Sequence, residues 1–306
     1  VLLLRLFTIQ VGDDRYKLAA ENQSMVNDII YPTRGIIYDR NGEVLVGNRT
    51  CYDILITPRE VTAFDTLALA QALDLDTLWI REQMAYYKKY RSRIGWQTLQ
   101  FVKQVSMEKY MRFAEKAYSF PGFRGQVRTI REYPFNAGGN LLGYVSEVNE
   151  KEIQREPDAY RSGDYIGKTG LEAAREKDLR GEKGYHVFLR DSRNKVQDSY
   201  KDGAFDKEAV PGKNIVTTID AHLQQYGQEL MTGKKGSLIA LEPSTGEILA
   251  MVSSPGIDVD VLSNMGAHYA RLAADPGRPM FNRTVQASYP PGSVFKLVNG
   301  LIGLQE

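Results

Sequence analysis

The residues best suited to chemistry are Ser293 and Lys296, in the run Tyr289-Pro290-Pro291-Gly292-Ser293-Val294-Phe295-Lys296. A serine hydroxyl is a weak nucleophile until a neighbour removes its proton. A lysine can take that proton if burial lowers its pKa enough to leave it neutral. The prolines and glycine stop any preceding structure. The apolar run Leu297-Val298-Asn299-Gly300-Leu301-Ile302 follows at once, which predicts a helix with Ser293 in its first turn. Free backbone N–H groups and the positive dipole end favour developing negative charge there. Lys296, three residues on, shares the face of Ser293. The chemistry is serine acyl transfer with a lysine as base. It needs no histidine, and His186, His222 and His268 read as structural or surface residues.

Ser-x-x-Lys spacing is weak evidence by itself, because it recurs at Ser106…Lys109 and Ser192…Lys195. What distinguishes Ser293 is its Tyr-Pro-Pro-Gly frame and the hairpin that precedes it. Strands Ser237–Glu242 and Glu247–Val252, joined by Pro243-Ser244-Thr245-Gly246, follow a strand Ile215–Ile219 and a helix Ala221–Met231. Pro211-Gly212, after a polar run, marks a domain boundary.

Upstream the pattern is mixed. A helix is predicted over Tyr16–Asn27, ended by Pro32. Arg34–Val46 reads as strand, turn, strand, with Asn41-Gly42 as the hairpin signal. Cys51–Thr57 reads as a strand and Phe64–Tyr90 as helical. Leu99–Val105 reads as a strand, and Ser106 as the N-cap of a helix Met107–Tyr118. Val127–Tyr133 is predicted to be a strand, Leu171–Leu179 a helix, and Tyr185–Arg190 with Lys195–Tyr200 a strand pair. The βαβ rhythm of a doubly wound fold is absent, so the fold class is α+β.

A length of 306 residues implies two domains. Lys+Arg 39 against Asp+Glu 38 leaves no basic excess, which argues against a nucleic-acid partner. The lone cysteine, Cys51, excludes an internal disulfide and reads as a buried strand residue. The apolar start Val1–Val11 is too short to span a membrane. It reads either as an amphipathic surface helix or as the outer end of a membrane anchor.

The sequence resembles class B penicillin-binding proteins, most closely the elongation type. Arg34-Gly35-Ile36-Ile37-Tyr38-Asp39-Arg40-Asn41-Gly42 matches the family's R-G-x-x-x-D-R-x-G, and Arg131-Glu132-Tyr133-Pro134 its R-x-Y-P. Gly167-Lys168-Thr169-Gly170-Leu171-Glu172 matches G-x-x-G-x-E. The hairpin Ala240–Met251 and Asn282-Arg283 match the approach to the active serine. The resemblance covers nearly the whole chain. It implies a membrane anchor ending at residues 1–15, a pedestal (dimerisation-type) domain over 16–205 with a head lobe at about 60–125, and the start of a serine transpeptidase domain over 206–306, a β-sheet flanked by helices.

The resemblance makes Ser293 the nucleophile that penicillin acylates and Lys296 its proton acceptor. The implied activity is D,D-transpeptidation of peptidoglycan stem peptides, with β-lactams as inhibitors, in cell-wall elongation and rod shape. No metal or organic cofactor is implied. The implied setting is the bacterial inner membrane, crossed once, with the globular part in the periplasm. The implied partners are a lipid-linked glycan polymerase and an elongation scaffold docking at the head lobe. Lys168-Thr169-Gly170 and Ser192-Arg193-Asn194 mimic the family's K-T-G and S-x-N but precede the nucleophile, so neither is assigned to the active site. No S-x-N or K-T-G follows Ser293. An absent oxyanion donor costs roughly 10²–10³ in rate, so this segment alone is expected to be inactive.

Arg34, Asp39, Arg40, Arg131 and Glu172 are expected to form a structural ion-pair network rather than a reacting pocket. Trp79, Tyr86, Tyr87, Tyr90 and Trp96 are expected to be mostly core. Two rivals are weighed. A non-catalytic penicillin-binding sensor or scaffold would not turn over a stem-peptide donor and acceptor. A serine β-lactamase would release bound penicillin quickly.

Overall fold

The computed structural model describes residues 25–95, 97–190 and 196–305. In chain order the strands are β1 (Met25–Ile30), β2 (Ile37–Tyr38), β3 (Val44–Ile56), β4 (Leu99–Val105), β5 (Phe123–Glu132), β6 (Val145–Glu147), β7 (Tyr165–Gly167), β8 (Gly184–Arg190), β9 (Val196–Ser199), β10 (Ile215–Val216), β11 (Gly236–Leu241) and β12 (Ile248–Ser254). The helices are α1 (Thr66–Leu73), α2 (Thr77–Lys89), α3 (Arg91–Ile94), α4 (Met107–Glu115), α5 (Gly139–Leu142), α6 (Glu150–Arg155), α7 (Gly170–Ala174), α8 (Glu176–Leu179), α9 (Ala221–Leu230), α10 (Met265–Ala274), α11 (Arg283–Gln286) and α12 (Lys296–Gln305). Most strand pairs among the described residues are antiparallel, with helices interspersed, an α+β architecture. No helix among the described residues is long and apolar enough to cross a membrane.

The chain forms two compact units. The first gathers residues 1–36, 47–132 and 177–215. Its central strand is Gly47–Ile56 of β3, which pairs with β5 from Gly47↔Glu132 to Ile56↔Phe123 and with β4 from Tyr52↔Val105 to Ile56↔Leu99. The apolar side chains of this strand are why it is central. Ile54 and Ile56 are fully buried in a core shared with Leu69, Leu73, Ile80, Phe101, Phe113 and Phe120. Cys51 is buried in the same strand, as expected, and burial pushes its thiol up to about 11, with the Asp53 carboxylate adding to the effect.

Three expectations need correction in this unit. The segment that reads as helical over Phe64–Tyr90 is divided into two helices. Asp74 turns left-handed (φ 56°) to end α1, and the Asp76 side chain accepts the Leu78 N–H to start α2. The helix expected over Tyr16–Asn27 falls mostly outside the described residues, but Met25–Asn27 belong to a strand. There β1 pairs with β8 from Met25↔Leu189 to Ile30↔Gly184, and the ladder overrides local preference. Tyr86 and Tyr90 are exposed and lie ring to ring at 4.8 Å, because positions i and i+4 share the outer face of α2. Tyr87 is buried and Trp79 packs on the core; Trp96 lies outside the described residues.

The second unit gathers residues 37–46, 133–176 and 216–306. Short strand β2 pairs with the start of β3 (Ile37↔Val46, Tyr38↔Val44), and the Thr217 N–H donates to Tyr38 O. Helix α9 packs on β12 of the β11–β12 hairpin, whose register runs from Gly236↔Ser254 to Leu241↔Ile248. Gln224 fixes this packing: its side chain accepts the Met251 N–H at 2.7 Å and donates to Met251 O at 2.9 Å. A small core of Tyr144, Ile257, Val259, Leu262 and Met265 lies under α10. Helix α6 is started by an Asn149/Glu152 capping box. The helix expected over Leu171–Leu179 is divided at Arg175 into α7 and α8.

Candidate active site

Ser293 lies in a 3₁₀ turn, Gly292–Phe295, that leads into α12. Gly292 enters this turn at φ 57°, a left-handed conformation that explains a glycine there. The Lys296 N–H donates to Ser293 O. Lys296 is the first residue of α12, three positions after Ser293, a spacing that puts residues on one face of a helix. Both side chains are exposed, and neither has a hydrogen-bond partner among the described residues. The burial that a lysine base calls for is therefore not supplied by the described residues. The apolar side chains Leu297, Leu301 and Leu304 of α12 are exposed too.

The chain reaches Ser293 along a fixed path. Asn282 caps α11 by accepting the Thr284 N–H, and its own N–H donates to the Gln286 side chain. Ala287 then extends (φ −77°, ψ 143°) into Tyr289-Pro290-Pro291. Arg283, which starts α11, is 3% exposed, and its guanidinium donates to the carbonyls of Pro255, Gly277, Arg278 and Phe281.

The two other Ser-x-x-Lys matches separate cleanly from this one. Ser106 accepts the Lys109 N–H as an N-cap, as its sequence context implies, while Lys109 Nζ pairs with Asp74 at 3.0 Å. The Ser192 match lies outside the described residues. Lys168 of the Lys-Thr-Gly mimic pairs with Glu152 at 2.6 Å, and burial of Glu152 is outweighed by that bond and by the Asn149 N–H, which together hold its carboxyl low.

The pedestal motif residues are placed as follows. The Gly35 N–H donates to Leu179 O at 2.8 Å, and a Cβ there would fall 1.9 Å from Lys213 O. Asp39 is fully buried and accepts N–H groups of Asn41, Glu43 and Ala221. This corrects the ion-pair expectation for Asp39: among the described residues its partners are N–H groups, the backbone having reached it first. Arg40 pairs with Glu247 at 3.4 Å in a largely solvated position. Gly42 takes φ 90° in the turn, which spans five residues, 39–43, rather than two. Arg131 is buried and donates to Asn48 Oδ1 at 2.8 Å, while Asn48 Nδ2 reaches Arg34 O. Tyr133 OH donates to Gly143 O, and Pro134 is exposed. The Gly167 N–H donates to Glu176, Gly170 takes φ 59° against Leu141 O, and Glu172 is fully buried.

Sequence reasoning missed Asn48, the buried Asp53–Arg128 pair, Asn140, Ser253 and the Tyr160–Glu176 bond. None of these sits in a contiguous motif, and their partners are 14 to 139 positions away.

Comparison with known proteins gives these folds a family. A family model described as penicillin-binding protein dimerisation domain matches residues 29–217, and one described as penicillin binding protein transpeptidase domain matches residues 236–306. A Peptidoglycan D,D-transpeptidase MrdA of Escherichia coli K12 is 34% identical over 312 residues, covering 97% of this chain and 47% of that protein. The Salmonella typhimurium protein of the same name is 31% identical over 305 residues, covering 97% and 48%. Penicillin-binding protein 3 of Bacillus subtilis is 27% identical over 300 residues, covering 95% and 42%. The chain thus spans about half the length of the curated relatives it matches. Among solved structures, the complex between penicillin-binding protein PBP2 and MreC from Helicobacter pylori matches with a TM-score of 0.69 at 22% identity, covering 92% of this chain and 53% of that one, a likeness of fold. The chain belongs to the penicillin-binding proteins, with a dimerisation domain followed by transpeptidase-domain sequence from residue 236.

Proposed function

We propose that the whole protein is a peptidoglycan D,D-transpeptidase and that Ser293 is its nucleophile. Ser293 Oγ attacks the penultimate D-alanine carbonyl of a stem peptide, Lys296 accepts the hydroxyl proton, and terminal D-alanine leaves carrying a proton. An amine of a second stem peptide attacks the resulting ester, forms the cross-link and frees Ser293. The observation that carries this reading is the placement of Ser293 in the 3₁₀ turn and of Lys296 at the start of α12, three residues on, inside the segment matched as transpeptidase domain. β-Lactams acylate the same serine.

The proposal extends to setting. The protein works at the bacterial inner membrane, anchored by a single span whose outer end is residues 1–15, with its pedestal at 16–205 and catalytic domain from 206 in the periplasm. The head lobe docks a scaffold of the elongation machinery, in support of which stands the PBP2–MreC complex among its structural neighbours. A lipid-linked glycan polymerase is the proposed membrane partner.

The test is intact-mass spectrometry of the whole protein after incubation with a penicillin. The expected result is a stable adduct of one drug molecule, lost in Ser293→Ala. A folded protein that takes no drug would overturn the transpeptidase reading and leave a non-catalytic scaffold.

A further inference from the structure

Three side chains from three elements converge on the segment that precedes Ser293. Asn140, in α5, accepts the Ile257 N–H at 2.9 Å and donates to Pro279 O at 2.8 Å. Ser253, in β12, accepts the Arg283 N–H at 3.0 Å and donates its hydroxyl to Phe281 O at 3.3 Å. Arg283 itself donates to four carbonyls, three of them within 277–281 and the fourth Pro255 O. Buried cations are normally matched by carboxylates. Among the described residues, backbone carbonyls and the Phe281 ring, 5.7 Å from Cζ, face this 3%-exposed guanidinium, so its planar fork is spent on holding backbone.

We propose that Asn140, Ser253 and Arg283 form a clamp that sets the position of the nucleophile-bearing turn. They are positioning residues, since none touches the reacting atoms. The link from clamp to serine is short. Between α11 and the 3₁₀ turn lie only Ala287, Ser288, Tyr289, Pro290 and Pro291. Proline fixes φ near −65° and pushes the residue before it into extended conformations. The Pro-Pro strut therefore fixes two φ torsions and restricts Tyr289 and Pro290 in the five-residue link that carries the orientation of Arg283 to Gly292. No described side chain covers Ser293, so this strut is what the described residues offer to hold it in place.

The family-model boundary adds a consequence. Asn140 lies in the dimerisation-domain match and Pro279 in the transpeptidase match, yet both belong to one compact unit. A residue of the first match thus holds the base of the strut in the second.

The role in catalysis rests on Ser293 being the nucleophile; the clamp does not. The experiment uses the whole protein and two conservative variants. Asn140→Asp keeps the acceptor for the Ile257 N–H but sets an acceptor against Pro279 O. Ser253→Ala removes one hydroxyl and leaves Arg283 in place. Two readouts are taken: hydrogen exchange of amides from Thr284 to Lys296, and the rate of acylation by a fluorescent penicillin, split into binding constant and limiting rate. Exchange across Thr284–Lys296 should rise at least about tenfold. The limiting rate should fall by about 10²-fold, the usual effect of a misplacement near 1 Å, with the binding constant nearly unchanged. Folded variants with wild-type exchange across this stretch overturn the clamp, and faster exchange with an unchanged limiting rate overturns its positioning role. A wild-type protein that takes no penicillin ends the transpeptidase reading alone, and the exchange comparison still decides whether the clamp holds the turn.

Discussion

The carboxylate of Asp39 accepts the backbone N–H of Ala221 at 3.2 Å, across 182 positions of chain. It also accepts the N–H groups of Asn41 and Glu43 at 2.7 and 2.8 Å. One buried acid thereby closes the β2–β3 turn and satisfies an orphan donor in the first turn of α9, beside the Asp220 cap. Burial alone would raise the Asp39 pKa, but the N–H groups of Glu43, Ala221 and Asn41 outweigh it and hold the carboxyl below its ordinary range.

Asp39→Asn should cost about 1–3 kcal/mol at pH 7, because the amide nitrogen must turn a donor toward a donor. The folded pKa lies below the unfolded one. The ionised group therefore adds stability above the unfolded value of about 3.9, and that share is lost as pH falls through the lower folded value. The gap between wild type and variant should hold steady from about pH 7 to 5 and narrow below about pH 4. Denaturant titrations across that range measure it. A gap constant down to about pH 3 would mean that the charge of Asp39 contributes nothing.

The motif that contains Asp39 also contains two glycines with different reasons to be glycine. A Cβ on Gly35 would meet Lys213 O at 1.9 Å and Gly212 C at 3.2 Å, both backbone atoms with no room to yield. Gly42 has nothing within 4 Å of a Cβ but takes φ 90°. Gly35→Ala should abolish soluble folded protein. Gly42→Ala should fold with a loss of about 1–2 kcal/mol, the usual cost of a left-handed alanine. Expression and thermal melting of the two variants separate these outcomes, and equal behaviour would show that one reason serves both.

What could be read in the sequence was local. The strand Leu99–Val105 lies where it was expected, Ser106 caps where it was expected, and the β11–β12 hairpin follows its Pro-Ser-Thr-Gly turn. Asn41-Gly42 marked the turn but not its length, because the Asp39 side chain enlarges it to five residues through bonds no dipeptide rule contains. Within the candidate site the Ser293–Lys296 spacing was visible and the clamp behind it was not. Asn140 and Pro279 are 139 positions apart, and only packing brings such pairs together. The break between α1 and α2 did have a signal, since Asp74-Leu75-Asp76 supplies a left-handed stop and a fresh N-cap.

Asp53 and Arg128 form a buried pair at 3.0 Å between β3 and β5. Asp53 also accepts the Gln104 N–H and the Gln100 side chain, and Arg128 lies 3.9 Å over the Tyr31 ring. Removing one partner leaves a buried charge or unpaired donors, so Asp53→Ala should cost about 3–5 kcal/mol in the first unit. Trp79 packs on the core of that unit, so tryptophan fluorescence reports its unfolding. A fluorescence midpoint unchanged in denaturant would show the pair to be dispensable.

Lys296 is tested by a change that keeps its charge. Arginine stays protonated at any working pH, whereas a base must shed its proton before it can accept another. Both side chains suit an exposed helix start, so Lys296→Arg should leave α12 and the melting temperature unaltered. If Lys296 takes the Ser293 proton, acylation by a fluorescent penicillin should fall by about 10²–10⁴, the usual share of general base catalysis. The same variant speaks to geometry, because its guanidinium can still attract an anionic ligand and so preserve initial binding. A loss confined to the limiting rate identifies a proton acceptor. A loss confined to binding assigns Lys296 to substrate attraction instead, and the base must then be sought on another segment.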